Sequence, residues 1–226
     1  MAKHEDEWEV FYYHETGRAE YARILFGEAG VSYKESTDVR GKEANHFVAF
    51  GGKPSELNFP AFAPPTIRHN KIYIAQTNTI VRYVATKLHL LPSNEIDQFY
   101  CDVLMANIQD VNAEMYGKSK ATDEERAEWL KTRGANWLKL FNEPLTREKN
   151  QEYYFGNKCS CADLIVTVFL QRLDFILGKK YGEFVAKPFP ALHQLRERVE
   201  KRPNIQKFLE ERHKAKRNFV TTQWFN

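Results

Sequence analysis

Gln76 and Thr77 are the first residues whose types and positions could do chemistry, because they stand at the predicted start of a helix. Ile80, Val84 and Leu88 follow at helical spacing, and the Thr77 hydroxyl is a candidate cap for a free N–H of the first turn. A helix N-terminus offers unpaired N–H groups and the positive end of the helix dipole, so this pair could bind a carboxylate. A capped helix without a ligand explains the same residues, and both interpretations stay open here.

The Pro64-Pro65 pair comes shortly before this helix and marks a second candidate position. A proline cannot donate to a strand ladder, so Pro65 must occupy the first residue or the edge of the strand predicted at 66–68. X-Pro bonds at such corners are where cis peptides tend to occur. We therefore expect a cis bond before Pro65, with the backbone of Pro64 facing outward. A turn at Asn70 then leads into a strand predicted at 71–74.

The elements that must position these residues form a small α/β unit at residues 1–89. In chain order we predict a strand at 8–13, a helix at 18–29 ended by Gly30, a strand at 31–36, a loop at 38–62 with one short helix at 43–50, and the hairpin and helix described above. A loop of this length in a compact domain is usually functional or mobile.

The second half, residues 95–226, carries only helical patterns and is predicted to be an all-α domain. Two capping-box signatures, at 122–125 and 160–163, open helices. The helix after Ser160 is apolar nearly all round, which predicts that it is the buried centre of a bundle. Further helices are predicted at 95–116, 189–200 and 204–216.

The composition indicates a soluble cytoplasmic protein. The 226 residues carry a formal charge of +3, a balance that does not favour nucleic acid. No apolar run reaches the length of a membrane span, so we expect no membrane partner. The polar N-terminus is unlike a targeting peptide, and three cysteines fit a reducing compartment. Cys159 and Cys161 lack a neighbouring His or Cys cluster, so we expect no metal.

Four motifs, in this order, resemble the cytosolic glutathione S-transferases of the tyrosine-type classes (sigma-, alpha-, mu- and pi-like). They lie at residues 12–20, 63–67, 76–83 and 160–163. The resemblance implies a thioredoxin-like α/β domain that binds glutathione, followed by an all-α domain that carries the site for a hydrophobic substrate. It also implies glutathione as co-substrate, small hydrophobic electrophiles as second substrates, and a homodimer.

The resemblance assigns the catalytic roles to Tyr12 and Arg18. The glutathione thiolate is the nucleophile, and a hydroxyl donor near the sulfur lowers the pKa of the thiol. Tyr12 would be that donor. Arg18 would orient the loop and support the sulfur electrostatically, with an exposed helix-start arginine as the alternative. Tyr13 is the neighbouring phenol, and strand alternation sends it to the opposite face.

The resemblance assigns glutathione binding to Pro64, Gln76 and Thr77. Gln76 and Thr77 would hold the γ-glutamyl carboxylate, while Pro64 departs from the family pattern because proline has no N–H. Only its carbonyl could contact the cysteinyl part, which weakens binding by about 0.5–1.5 kcal/mol. Lys42 and Lys53 are candidates for the glycyl carboxylate.

A second departure lies on the long helix, where Ala106 stands at the position of an Asp that reaches the partner subunit in many classes. The wall of the hydrophobic-substrate site is assigned to Tyr13, Ile108, Met115 and Tyr116, with Trp224 and Phe225 from the tail. Packing between helices is the alternative for Ile108 and Met115. Phe50, Phe59 and Phe62 lie in the loop where several classes insert an aromatic into the partner, and covering their own core is the alternative.

The functional hypothesis is therefore conjugation of glutathione to hydrophobic electrophiles. One alternative is a glutathione-dependent isomerase resembling prostaglandin D synthase, which would share the thiolate. Another is a non-catalytic binding module of the same fold.

Overall fold

The structure is a computed structural model that describes residues 6–53, 59–149, 151–219 and 223–225. The chain forms two compact units, Met1–His89 with Lys207–Val220 and Leu90–Gln206 with Thr221–Asn226. The domain limits of 1–89 and 95–226 stay a prediction, and the structure adds a C-terminal piece to the first unit. Phe208 belongs to that piece and lies so close to Gly27 that a Cβ on the glycine would be 2.7 Å from its ring.

The first unit is built on a mixed four-stranded sheet with the strand order β2-β1-β3-β4. The strands are β1 (Trp8–Phe11), β2 (Lys34–Ser36), β3 (Thr66–His69) and β4 (Ile72–Ala75). β1 runs parallel to β2 and antiparallel to β3, and β3 is antiparallel to β4. The predicted strands occur in the predicted order, but β1 ends at Phe11, so Tyr12 and Tyr13 lie just beyond it.

Two helices complete this unit. α1 (Glu20–Ala29) follows a 3-10 turn, Gly17–Ala19, and ends at Gly30, whose φ of 65° is the left-handed conformation that the C-cap prediction required. α2 (Thr77–Lys87) has Gln76 as its N-cap residue. The prediction that Thr77 caps the helix is therefore wrong by one residue.

The loop predicted at 38–62 contains two short 3-10 turns, Ala44–His46 and Val48–Phe50, instead of one helix at 43–50. Residues 54–58 of this loop lie outside the described residues.

The two faces of the sheet are covered differently. On one face Trp8 of β1 packs edge-on against Phe26 of α1, with ring centroids 5.1 Å apart. On the other face Phe11 packs with Val39, Phe47 and Ala61 from the long loop. The loop thus covers the end of the sheet at which β1 finishes.

The second unit is helical. Its helices are α3 (Glu95–Gly117), α4 (Asp123–Trp129), α5 (Ala135–Asn142), α6 (Cys161–Leu177), α7 (Pro190–Glu200) and the start of α8 (Pro203–Lys214). A stretch of π-helix, Leu130–Gly134, joins α4 to α5. None of the helices in the described ranges combines the length and apolar character that crossing a membrane requires.

α6 is the buried centre of this unit, as its sequence predicted, since it contacts both α3 and α7 and most of its side chains are buried. Asp163 closes the predicted cap by accepting from the backbone N–H of Ser160 at 2.8 Å. The tail residue Trp224, a candidate substrate wall, is buried here instead, with its N–H donating to the Ile176 carbonyl at 2.8 Å.

Candidate active site

The predicted catalytic and binding residues of the first unit converge at one end of its sheet. In the ladder, Phe11 of β1 pairs with Thr66 of β3, and Thr66 pairs with Ala75 of β4. Tyr12, Pro65 and Gln76 are the next residues beyond these three partners. Neighbouring strands are about 4.8 Å apart, so the register brings the three positions to one short edge.

Tyr12 is buried, and its hydroxyl faces the start of α1. Its backbone N–H extends the ladder by donating to the Ser36 carbonyl at 3.1 Å. Its Oη accepts a hydrogen bond from the backbone N–H of Arg18 at 3.2 Å. Burial raises the pKa of Tyr12 above its usual value, while the Arg18 N–H opposes that shift. The phenol is therefore neutral at physiological pH and keeps its proton available for donation.

Gly17 makes this approach possible. Its φ is 80°, a conformation that favours glycine, and a Cβ there would lie 2.8 Å from the Tyr12 Oη. The Arg18 side chain itself is exposed. The contact that the structure gives Arg18 with Tyr12 thus comes from its backbone, while its guanidinium adds a positive charge that favours the ionised phenol.

Tyr12 and Tyr13 are not separated to opposite faces, although alternation predicted that they would be, because β1 ends at Phe11 and the two rings contact each other edge-on with centroids 5.3 Å apart. Tyr13 packs against the Phe11 cluster on the loop side of the sheet. The Arg40 guanidinium lies over its ring, 5.3 Å from the centroid. What distinguishes the two phenols is that the Tyr12 hydroxyl accepts from the Arg18 N–H at the turn before α1.

The predicted binding residues occupy the rest of this edge. The Pro64–Pro65 peptide is cis, as expected, and both prolines are buried. Gln76 is exposed with a positive φ of 69°, and Thr77 is buried as the first residue of α2. The first N–H groups of a helix have no partner within it, so the start of α2 can donate to an anion.

The residues assigned to the hydrophobic-substrate wall differ in exposure. Ile108 and Met115 are buried and present almost no surface to a ligand. Tyr116, near the end of α3, is 76% exposed. Lys42 and Lys53, the candidates for a glycyl carboxylate, are both exposed.

The sequence reasoning missed Arg23, whose buried side chain holds the loop after Tyr12. Both oxygens of Glu35 accept from Arg23 at 2.8 Å, and Arg23 also donates to the Glu15 carbonyl at 2.6 Å. Arg23 falls between Ala22 and Leu25 on the apolar face of α1. A charged residue on such a face was the signal that could have identified it.

Comparison with known proteins identifies similar sequences and similar folds. The sequence model of the family described as "Glutathione S-transferase, C-terminal domain" matches residues 108–212. A glutathione S-transferase of Plasmodium falciparum is 27% identical over 212 residues, which cover 90% of this chain and 95% of the relative. Glutathione S-transferase A1 of Mus musculus is 26% identical, over 89% of this chain and 86% of the relative.

Solved structures show the same fold. The pi-class glutathione S-transferase of Onchocerca volvulus aligns with a TM-score of 0.75 at 21% identity, covering 93% of this chain and 96% of the other. A Caenorhabditis elegans glutathione S-transferase aligns with a TM-score of 0.71 at 21% identity, covering 92% and 98%. The predicted thioredoxin-like α/β domain followed by an all-α domain is confirmed. The chain is thus similar to glutathione S-transferases in sequence over nearly its whole length and in fold.

Proposed function

We propose that this protein is a glutathione transferase that joins the thiolate of glutathione to small hydrophobic electrophiles. The observation that carries the proposal is the Tyr12 hydroxyl, which accepts from the Arg18 N–H at 3.2 Å. Among the described residues no acceptor is recorded for its own O–H. That proton is free to be donated to a sulfur held at the same sheet edge.

In this mechanism Tyr12 acts as a hydrogen-bond donor and does not ionise. The glutathione thiol loses its proton to solvent, and the donor favours the resulting thiolate. The thiolate then forms the new C–S bond as the electrophile loses its leaving group. The Arg18 N–H strengthens the donor because it polarises the phenol oxygen.

Gln76 and Thr77 hold the γ-glutamyl carboxylate at the start of α2, and the Pro64 carbonyl accepts from the cysteinyl part. Both roles are supported by the ladder register that brings these positions to the edge occupied by Tyr12. Arg40 joins Lys42 and Lys53 as a candidate for the glycyl carboxylate, because its guanidinium lies beside Tyr13. No His, Cys, Asp or Glu group in the described ranges is arranged to hold a metal.

The second substrate is an apolar electrophile. Of the proposed wall residues, the exposed Tyr116 has the most surface to offer it. We place the protein in the cytoplasm, a location proposed from its composition and its family.

We propose that the protein is a homodimer. α3 carries an apolar stripe of residues that are each more than half exposed: Ile96, Phe99, Tyr100 and Val103. Beside this stripe is a groove of 660 Å³, lined among others by Leu104, Leu140 and Pro144. Phe59 and Phe62 are 75% and 69% exposed. Either ring could therefore bind in the same groove of a partner subunit. Sedimentation equilibrium tests this, and a single-chain mass contradicts it.

The test of the catalytic proposal compares Tyr12→Phe with Tyr13→Phe. Both remove one phenolic hydroxyl, so each is a matched control for the other. Tyr12→Phe should lower kcat with an aryl halide about 100-fold, because one preorganised donor is lost. Tyr13→Phe should leave kcat unchanged.

Retention on immobilised glutathione is measured in parallel. A wild-type protein that is retained without turnover would be a non-catalytic binding module. If Tyr13→Phe abolishes turnover while Tyr12→Phe does not, the catalytic phenol has been misassigned.

A further inference from the structure

The loop between Tyr12 and Arg18 is held by residues near the end of the chain. The Thr16 N–H donates to the Asn218 carbonyl at 3.0 Å, and the His14 Nε2 lies 2.9 Å from the Ala215 carbonyl. All of these residues belong to the first unit. We call residues 212–219 the tail segment.

Arg217 connects the tail segment to the same loop through two further side chains. Its guanidinium pairs with Glu35, whose carboxylate also accepts both hydrogen bonds from Arg23. Arg23 in turn donates to the Glu15 carbonyl at 2.6 Å and to the Tyr13 carbonyl at 3.4 Å. Arg217 is therefore two ion pairs away from the carbonyl groups that set the path of the loop.

These contacts are shielded from solvent. The Arg23 side chain is fully buried, and the side chains of Arg217 and Glu35 are 10% and 28% exposed. Removing one member of a buried charge pair leaves its partner uncompensated, so the remaining groups must rearrange. Loss of Arg217 should thus move Glu35 and, through it, Arg23.

The geometry at Tyr12 tolerates little movement of the loop. The Oη and the Arg18 N–H are 3.2 Å apart and stand at opposite ends of the loop, so a shift of the loop changes this distance directly. Misplacement of a catalytic group by about 1 Å can cost about 100-fold in rate.

We infer that Arg217 is a positioning residue for catalysis, acting through Glu35 and Arg23 on the loop that aligns Tyr12 with Arg18. This inference rests on the proposed function, because it concerns the same thiolate. The tail segment is then part of the catalytic apparatus although it lies some two hundred residues from Tyr12 in the sequence.

Arg212 offers a matched control within the same segment. It is also a tail arginine, with a side chain 18% exposed, and it pairs at 3.2 Å with the buried Glu20 of α1. Glu20 also contacts Arg23, but through one ion pair at 3.5 Å, whereas Glu35 accepts two hydrogen bonds from Arg23 at 2.8 Å. Arg212→Gln and Arg217→Gln therefore remove the same charge from neighbouring positions with different connections.

The experiment measures kcat and the pKa of enzyme-bound glutathione, the latter from thiolate absorbance. Arg217→Gln should raise the thiol pKa by about one unit, which is about tenfold less thiolate at neutral pH. It should lower kcat about tenfold to 100-fold. Arg217→Lys, which keeps the charge, should reverse part of both changes. Arg212→Gln should change both quantities clearly less than Arg217→Gln does, because Glu20 contacts Arg23 through the longer ion pair.

Thermal unfolding is recorded for every variant. A purely structural role would lower the melting temperatures of both Gln variants alike without changing the thiol pKa. A wild-type thiol pKa in Arg217→Gln, or an equal rise in Arg212→Gln, overturns the inference. Failure of the proposed function looks different, because the wild-type protein itself would then neither bind glutathione nor turn over the aryl halide.

Discussion

Glu9 in the first unit and Asp163 in the helical unit are both buried carboxylates, but their pKa values move in opposite directions. Burial raises the pKa of Glu9, yet Lys34, Ser36 and Arg68 outweigh it and lower that pKa to about 2. Burial likewise raises the pKa of Asp163. Its effect exceeds that of the hydrogen bonds from Tyr154 and Ser160, which lower the pKa, and the result is a pKa of about 6.

The difference follows from the partners. Glu9 has cationic partners, with Lys34 Nζ at 2.7 Å and Arg68 at 2.8 Å. Asp163 accepts from neutral donors, the N–H groups of Tyr154 and Ser160 and the Ser160 hydroxyl. Neutral donors satisfy a carboxylate but do not cancel its charge. The charge of Glu9 is therefore compensated by opposite charge, whereas Asp163 is satisfied by neutral hydrogen-bond donors.

The largest expected effect on stability comes from removing the Asp163 carboxylate, which accepts only from neutral donors. Asp163→Ala leaves the buried donors of Tyr154 and Ser160 without an acceptor, so we expect the free energy of unfolding to fall by about 4 kcal/mol. Urea denaturation measures this. Glu125→Ala is the control, because Glu125 closes the same kind of cap with Thr122 at an exposed position. That variant should lose about 1 kcal/mol, and equal losses would show that burial is not the cause.

The next effect in size is the pH dependence of the contribution that Asp163 makes to the free energy of unfolding. Its folded-state pKa lies above the ordinary value of 3.8, so its contribution is complete below pH 3.8 and is lost as pH rises through about 6. The loss amounts to about 3 kcal/mol for a shift of this size. Asp163→Asn does not titrate, so its unfolding free energy should decline less than that of the wild type over this range. Parallel pH profiles for the two proteins would refute the assignment.

Glu9 should show the smaller effect and the opposite sign. Glu9→Gln should lower the unfolding free energy by about 2 kcal/mol at neutral pH, since hydrogen bonds to a charged group are lost. Because the folded-state pKa is depressed, this contribution is present above pH 4.5 and disappears as pH falls toward 2. The wild type and the variant should therefore converge in acid.

Glu7→Gln provides the control for Glu9, because the Glu7 carboxylate also contacts Arg68, at 3.5 Å, but is 74% exposed. It should unfold like the wild type at every pH. A loss equal to that of Glu9→Gln would show that proximity to Arg68, and not burial, determines the contribution.

The candidate active-site edge was predictable to the extent that it depends on neighbours in sequence. Tyr12 and Arg18 are joined by one short loop, and the cis bond and the start of α2 follow from Pro65 and from the helical spacing after Gln76. The exact cap was missed because Gln76 and Thr77 both suit a helix start, and the choice depends on a backbone φ of 69° at Gln76.

The residues that support this edge could not be found in the same way. Glu35 and Arg217 are ordinary charged residues in the sequence, and nothing local distinguishes them from solvated ones. Arg23 differs only by its place on the apolar face of α1. Their role appears only when packing brings the tail segment against α1 and the loop after Tyr12.

Local chemistry was thus sufficient for the order of the elements, while the choice of Tyr12 as the candidate catalytic phenol came from the resemblance to a known family. Capping, glycine conformation and apolar periodicity depend on residues a few positions apart, and the amino-acid order contains that information directly. The partners of buried charges and the sign of each pKa shift depend on residues far apart in the chain. Those were decided by the three-dimensional packing, because burial removes the solvent that would otherwise make such charges equivalent.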